Sequence, residues 1–370
     1  MADNNENKVL NVPDLRFPEF SGEWVETELQ DIVPNICSGK DRISNSGEVA
    51  LYGSTGVIGR TNSASYKENI VLVARVGANA GQMQIGNAPC GVTDNTLVID
   101  AKEWNYYIYY FLQHYNLNRL VFGSGQPLIT GGMLKRIKVR YGCKAERNNI
   151  TRLLCLIDER IATQNKIIEK LESLIKGIYS SILWKDYRLV SLSEIFIERN
   201  ERTTTNNQYQ VLSSTAKGLY RQSDYFDKEV ASANNVGYKV LRLGDIVLSP
   251  QNLWLGNINY NDAFKIGIVS PSYKVFSIRE GYNPYYVSCF LKTPKALYEY
   301  ANASEQGASV VRRNLDVNAF MAICFPMPNR IMQDRISERV RAINMKLDIE
   351  KQVFEKLNIE KQYLLRQLFI

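Results

Sequence analysis

The sequence predicts an α+β protein of two similar modules joined by two long antiparallel coiled-coil helices, the halves related by a pseudo-two-fold. Three observations carry that expectation. Two long segments hold an apolar seam of period 3.5, a series of short motifs occurs twice in the same order, and short β-branched runs alternate with Gly- and Asn-containing turns.

The first seam, within 147–185, runs Ile150, Leu154, Ile157, Ile161, Gln164, Ile168, Leu171, Ile175, Ile178 and Ile182. The second, within 330–369, follows 186 residues later as Ile336, Val340, Ile343, Leu347, Glu350, Phe354, Leu357, Lys361, Leu364 and Leu368. Alternating steps of three and four over several heptads are the signature of a coiled coil. Each helix is expected to run roughly 55–60 Å, well beyond a mean globular helix. The polar positions Gln164 and Glu350 fall in the same register, so in an antiparallel pair they are expected to face each other and fix that register.

The segments ahead of the helices echo each other. Leu29–Ile32 corresponds to Leu192–Ile195, Tyr52–Gly56 to Leu212–Gly218, and Asn69–Leu72 to Asp245–Leu248. Tyr107–Leu112 corresponds to Tyr286–Leu291, and a Gly-containing loop follows each, Gly123–Gln126 or Gln306–Ser309. Strands are expected at Ile70–Val73, Thr96–Ile99, Asp245–Leu248 and Tyr273–Ile278, and helices over 103–120 and 283–302. The resulting division is a lead-in at 1–23, modules at 24–146 and 186–329, and long helices at 147–185 and 330–370.

Composition narrows the function. A chain of 370 residues with 45% hydrophobic and 22% charged residues can bury more than one core. The net charge of +7 leans toward a polyanionic partner. Six cysteines without a CxxC pair, and an opening MADNNENKVLNV without an apolar core, read as a reduced cytoplasmic protein with no signal peptide. No apolar run approaches the ~20 residues of a membrane helix, so no membrane partner is expected. His114 is the only histidine, which removes Ser-His-Asp triads and His-rich metal sites, and no metal is expected.

With the lead-in Val12–Trp24 (VPDLRFPEFSGEW) and the tandem of module plus long helix, the chain resembles the specificity subunit of type I restriction-modification systems over essentially its whole length. The resemblance implies that the modules are target recognition domains, each reading one half of a split double-stranded DNA target. It implies that the helices dock two methyltransferase subunits and that nuclease/translocase subunits join that core. This chain then has no catalytic residue and no cofactor of its own, since S-adenosylmethionine, ATP and Mg would bind the partners. A rod of roughly 55 Å spans on the order of 15 base pairs, enough for the two modules to reach successive major grooves.

DNA reading needs cations for phosphates and forked or amide side chains for base edges, on loops held by a scaffold. The first-module candidates are Lys40, Arg42, Ser54, Thr55, Arg60, Arg75, Asn79, Gln82 and Gln126. The second-module candidates are Thr215, Lys217, Arg221, Gln251, Asn252, Trp254, Arg312 and Arg313. Small residues in Gly123–Gln126 and Gly307–Arg313 would let backbone approach a phosphate.

Enzymatic readings fare poorly. Asn283-Pro-Tyr-Tyr286 lacks the second proline of the adenine methyltransferase signature, and Pro284 suits the first turn of a helix. Pro13-Asp14 and Asp100-Ala-Lys102 lie too far apart in sequence to suggest a nuclease centre, and there is no phosphate-binding GxxxxGK[ST] loop. The alternative from another class is a non-catalytic coiled-coil scaffold for partner proteins without sequence-specific DNA binding.

Overall fold

The computed structural model describes residues 11–121, 127–183, 185–225, 234–306 and 312–370. It divides into two compact units, one comprising residues up to Lys166 with Lys351–Ile370, the other Ile167–Glu350. Each unit therefore holds one module and part of each long helix.

Both modules are built on a four-stranded antiparallel sheet of the same topology. In the first unit the order is Asn35–Ser38, Thr96–Asp100, Ile70–Ala74, Met83–Gly86. In the second it is Phe196–Arg199, Lys274–Ile278, Ile246–Leu248, Ile258–Tyr260. The runs Asn69–Leu72 and Asp245–Leu248, matched by sequence, occupy the same inner slot. These strands read as continuous apolar runs because both faces are covered. Val71 and Val73 enter one core and Ile70 and Leu72 a second, while Ile246 and Leu248 enter one and Val247 another.

Further equivalences follow the sequence echo. Val25–Glu28 pairs antiparallel with Lys138–Tyr141, as Arg188–Ser191 pairs with Cys324–Met327. The Leu29 amide donates to the Ile137 carbonyl at 2.8 Å, and the Leu192 amide to that of Ile323 at 2.9 Å. The Tyr107 hydroxyl donates to the Arg140 carbonyl at 2.7 Å and the Tyr286 hydroxyl to that of Pro326 at 3.0 Å, each tying a core helix to the closing strand. Tyr107→Phe and Tyr286→Phe are each expected to destabilise their own unit by about 1 kcal/mol. Hydrogen exchange followed unit by unit is the measurement, and equal protection in wild type and variant would refute it.

Two expected helices are interrupted. In place of one helix over 103–120 there are Lys102–Trp104, Asn105–Tyr115 and Leu117–Leu120. Asn116 breaks the run with φ +58°, a left-handed conformation that asparagine tolerates, and its side chain accepts from the Asn118 amide. In place of one over 283–302 there are Pro284–Ser288 and Pro294–Asn302. Pro294 cannot continue a helix entered from its N-terminal side, and Thr293 caps the new start by accepting from the Ala296 amide.

The long helices span Lys144–Leu183 and Arg330–Gln367. In the first unit, the early part of one meets the late part of the other through an ion pair of 2.7 Å between Asp158 and Lys361. In the second unit, Ile178 and Ile182 share a core with Ile336. Within each unit the two segments thus run antiparallel. Of the seam residues, Ile150, Leu154, Ile157, Gln164, Ile168, Ile175, Ile182, Val340, Leu347, Glu350, Leu357, Leu364 and Leu368 are buried, and Ile161, Leu171, Ile178, Ile336, Ile343, Phe354 and Lys361 are partly buried.

The lead-in is anchored in the first unit. Arg16 donates from Nε and Nη2 to the two carboxylate oxygens of buried Glu146 at 2.7 and 3.0 Å, and the Leu15 amide donates to the Gln367 carbonyl. Gly142 is required there, because a Cβ would sit 2.7 Å from the Trp24 indole nitrogen and closer still to Glu146.

Candidate nucleic-acid interface

In the first module, candidate residues from separate stretches of chain converge at the end of the central strand Ile70–Ala74. The Asn95 carbonyl is the joint: it accepts from the Ser54 hydroxyl at 3.1 Å and from the Arg75 amide at 3.0 Å. Ser54 lies in the turn between strands Val49–Gly53 and Gly56–Thr61, and the Gln84 amide donates to the Gly53 carbonyl of the same turn at 2.7 Å. Residues 74–82 form a tight loop closed by the Ala74 amide on Gln82 and the Gly81 amide on Ala74, which leaves Gln82 exposed and Asn79 partly exposed. A third stretch joins through the Ile129 amide on the Arg75 carbonyl and the Gly77 amide on Pro127.

Lys40 and Arg42 flank Asp41, whose carboxylate accepts from the Val92 amide at 2.8 Å and the Ser65 hydroxyl at 2.6 Å. That anchor holds both exposed cations on a fixed segment beside residues 92–96. Arg75 reaches the Ser38 hydroxyl at 3.4 Å, and its Nε is buried without a partner among the described residues. Thr55 is exposed in the turn, whereas Arg60 is tied to its own sheet by donating to the Glu48 carbonyl. Gln126 lies outside the described residues.

The second module repeats this convergence with other side chains. Its turn, Thr215–Gly218, joins Leu212–Ser214 to Leu219–Arg221. Thr215 uses its hydroxyl within that turn, accepting from the Lys217 and Gly218 amides, while Lys217 and Arg221 are exposed. The loop after the central strand carries Gln251, Asn252 and Trp254, and the Arg313 amide donates to the Gln251 carbonyl at 3.1 Å. The Arg313 guanidinium lies 4.7 Å from the Trp254 ring centroid and donates to the Ala301 carbonyl, while Arg312 is exposed. Of the loop Gly307–Arg313, residues 307–311 lie outside the described residues.

Buried amides join turn to loop. Asn257 accepts from the Ser214 hydroxyl at 2.7 Å and donates to the Ser214 carbonyl at 3.0 Å. Asn259 donates to the Ser214 hydroxyl at 2.8 Å and the Thr215 carbonyl at 2.9 Å, and Lys292 donates to Asn259 Oδ1 at 2.7 Å. Lys292 is exposed as a residue, but its ammonium reaches in among protein atoms, and that desolvation lowers its pKa. Sequence reasoning missed these residues, although Asn257, Asn259 and Asn261 alternate along one buried strand face, a period-two polar pattern. Among the described residues, no group of acidic, cysteine or histidine side chains is placed to hold a metal ion, and no helix is long and apolar enough to cross a membrane.

Residues 21–173 match the family described as the type I restriction modification DNA specificity domain. Among solved structures, the chain is similar to the S subunit of a type I restriction-modification system from M. genitalium, with 17% identity, a TM-score of 0.66, and coverage of 97% of this chain and 99% of that one. It also matches a structure described as the basis of complex assembly and conformational transition of the type I R-M system, at 14% identity and TM-score 0.49, covering 96% and 99% of the two chains. A third is the HsdS subunit from Thermoanaerobacter tengcongensis, at 11% identity and TM-score 0.40, covering 94% and 96%. No curated protein matches the chain. The family match thus covers the first module and part of the first long helix, and the likeness to the M. genitalium structure shows that the fold extends over the whole chain.

Proposed function

We propose that each module reads one half of a bipartite double-stranded DNA target, with recognition domains at 24–146 and 186–329. The long helices, 147–185 and 330–370, dock two methyltransferase subunits, and nuclease/translocase subunits join them in the cytoplasm. S-adenosylmethionine, ATP and Mg belong to those partners. The observation that carries this reading is the repeated convergence of a β-turn, a loop after the central strand and a segment beyond the core helices, dressed with different polar side chains in the two modules. One scaffold presented twice with unlike contact residues suits two unlike half-sites.

The test is selection from a randomised duplex pool by the full chain purified with its candidate methyltransferase. The wild type is expected to retain a split motif with two unlike halves and a fixed gap. Arg42→Ala with Gln82→Ala should blur one half, and Lys217→Ala with Arg312→Ala the other. Each lost base contact should cost about 1–3 kcal/mol, and each lost phosphate contact should flatten the salt dependence by about 0.9 in log–log slope. A stable protein complex that retains no preferred sequence would favour the scaffold instead.

A further inference from the structure

The strands that carry the turn Thr215–Gly218 are seated on a core through buried Leu212 and partly buried Leu219, and the turn itself projects beyond that packing. Its strands are only three residues long, and a hairpin of that size has marginal stability alone. Lys217, Gly218 and Leu219 line a cavity of about 570 Å³ together with Asn259, Tyr285 and Lys292. On that side the turn meets open space, so its position is set by the polar contacts that cross to it.

Those contacts end at Lys292. Its ammonium donates to the Ala216 carbonyl, at the tip of the turn, at 3.0 Å, and to Asn259 Oδ1 at 2.7 Å. Asn259 passes the constraint to Ser214 and Thr215, and Asn257 closes it on Ser214. Ser214, Asn257 and Asn259 are 3%, 6% and 6% exposed, so the inner part of the network is fixed by burial. Removing the ammonium strips a buried amide oxygen of its donor and releases the tip carbonyl in one step. The first module holds its corresponding turn differently: uncharged donors, Gln84 on Gly53 and Ser54 on Asn95, do the work, and the residue that follows Leu112, the counterpart of Leu291, is Gln113.

We propose that Lys292 is a positioning residue for recognition by the second module, locking the Thr215–Gly218 turn so that Lys217 meets DNA in a single pose. The proposal rests on the DNA-reading function above and adds a specificity determinant that need not touch DNA. A mobile turn samples several poses and spreads its contacts over several base sequences, so the signature of its release is degeneracy in one half-site with the other half intact.

The test compares wild type, Lys292→Met, Lys292→Arg and Ser214→Ala, each as full chain with the candidate methyltransferase, in the same randomised duplex selection. The Lys217 and Arg312 variants identify which half belongs to the second module. Lys292→Met is expected to blur that half and to weaken binding to the wild-type-selected duplex about tenfold. The first half, the co-purifying partner and the melting temperature, to within about 3 °C, should stay unchanged. Lys292→Arg keeps a donor at the tip and should preserve the second half, while Ser214→Ala cuts the same network at its inner end and should blur it. Retention of both halves by Lys292→Met and Ser214→Ala overturns the proposal, as does equal loss of both halves in either folded variant. Absence of a split motif in the wild-type arm overturns the DNA-reading function itself, and the proposal with it.

Discussion

Replacing Phe369 with alanine is expected to destabilise the first unit by about 3–5 kcal/mol, the range for deleting a buried phenylalanine ring. Phe369 is 3% exposed and inserted among three side chains of the helix Asn105–Tyr115, with ring centroids 5.4 Å from Tyr107, 6.1 Å from Phe111 and 5.8 Å from His114. A cavity left there lies beside a close-packed cluster held in place by further contacts, since His114 Nδ1 is hydrogen-bonded at 2.8 Å to the Leu365 carbonyl. Collapse to fill it is therefore opposed. Leu365 and Leu368 belong to the same core at 3% and 2% exposure. Adding Leu365→Ala and Leu368→Ala raises the loss to roughly 10 kcal/mol, comparable to the whole stability of an ordinary domain. In the triple variant, peptides from 24–141 should lose hydrogen-exchange protection while peptides from 188–327 keep it. Protection of 24–141 at wild-type level would show that the end of the second long helix and the residues that follow it are dispensable to the module core.

The repeat was legible because it is written locally. Asn69–Leu72 and Asp245–Leu248 announce themselves as strands by composition, as do Thr96–Ile99 and Tyr273–Ile278, whereas the outer strands and the order of both sheets come from the folded chain. The seams were legible for the same reason, since period 3.5 is a property of one chain segment. The interruptions at Asn116 and Thr293 needed more. A left-handed asparagine is one allowed state among several until the surrounding fold selects it, and a proline inside a helical stretch permits either a kink or a restart.

The loops proposed for recognition stand out in the sequence, and the residues that support them do not. Lys217, Gln251 and Arg312 stand out as polar residues on turns, whereas Asn257, Asn259 and Lys292 act through partners far away in sequence. Glu146 is a similar case: it lies near the start of a long charged helix, yet it is 1% exposed and clamped by Arg16. Only the folded chain brings such partners together, so non-local pairing, more than residue type, separates a surface charge from a structural one.

Asp158 offers the sharpest measure of such a pairing, and Asp158→Ala is expected to cost the first unit about 3–5 kcal/mol. Its carboxylate accepts from the Tyr110 hydroxyl at 2.9 Å and pairs with the Lys361 ammonium at 2.7 Å. Lys361 occupies a seam position, and its side chain is only 14% exposed, so without Asp158 an ammonium stays in the helix interface with little water to replace its partner. The reverse change is milder: after Lys361→Met, Asp158 keeps the Tyr110 hydroxyl and, at 32% side-chain exposure, reaches solvent, for a loss of about 1–2 kcal/mol. The double variant Asp158→Leu/Lys361→Met removes both charges and restores the apolar seam. It should recover most of the Asp158→Ala loss, short of about 1 kcal/mol for the Tyr110 hydroxyl, which Tyr110→Phe then returns. Denaturant unfolding read by hydrogen exchange in the first unit gives the cycle. Additive losses from the two single changes would show that Asp158 and Lys361 act independently, and the lysine would then have to be tolerated in the seam by its contact with the Tyr110 ring, 5.7 Å from the ammonium.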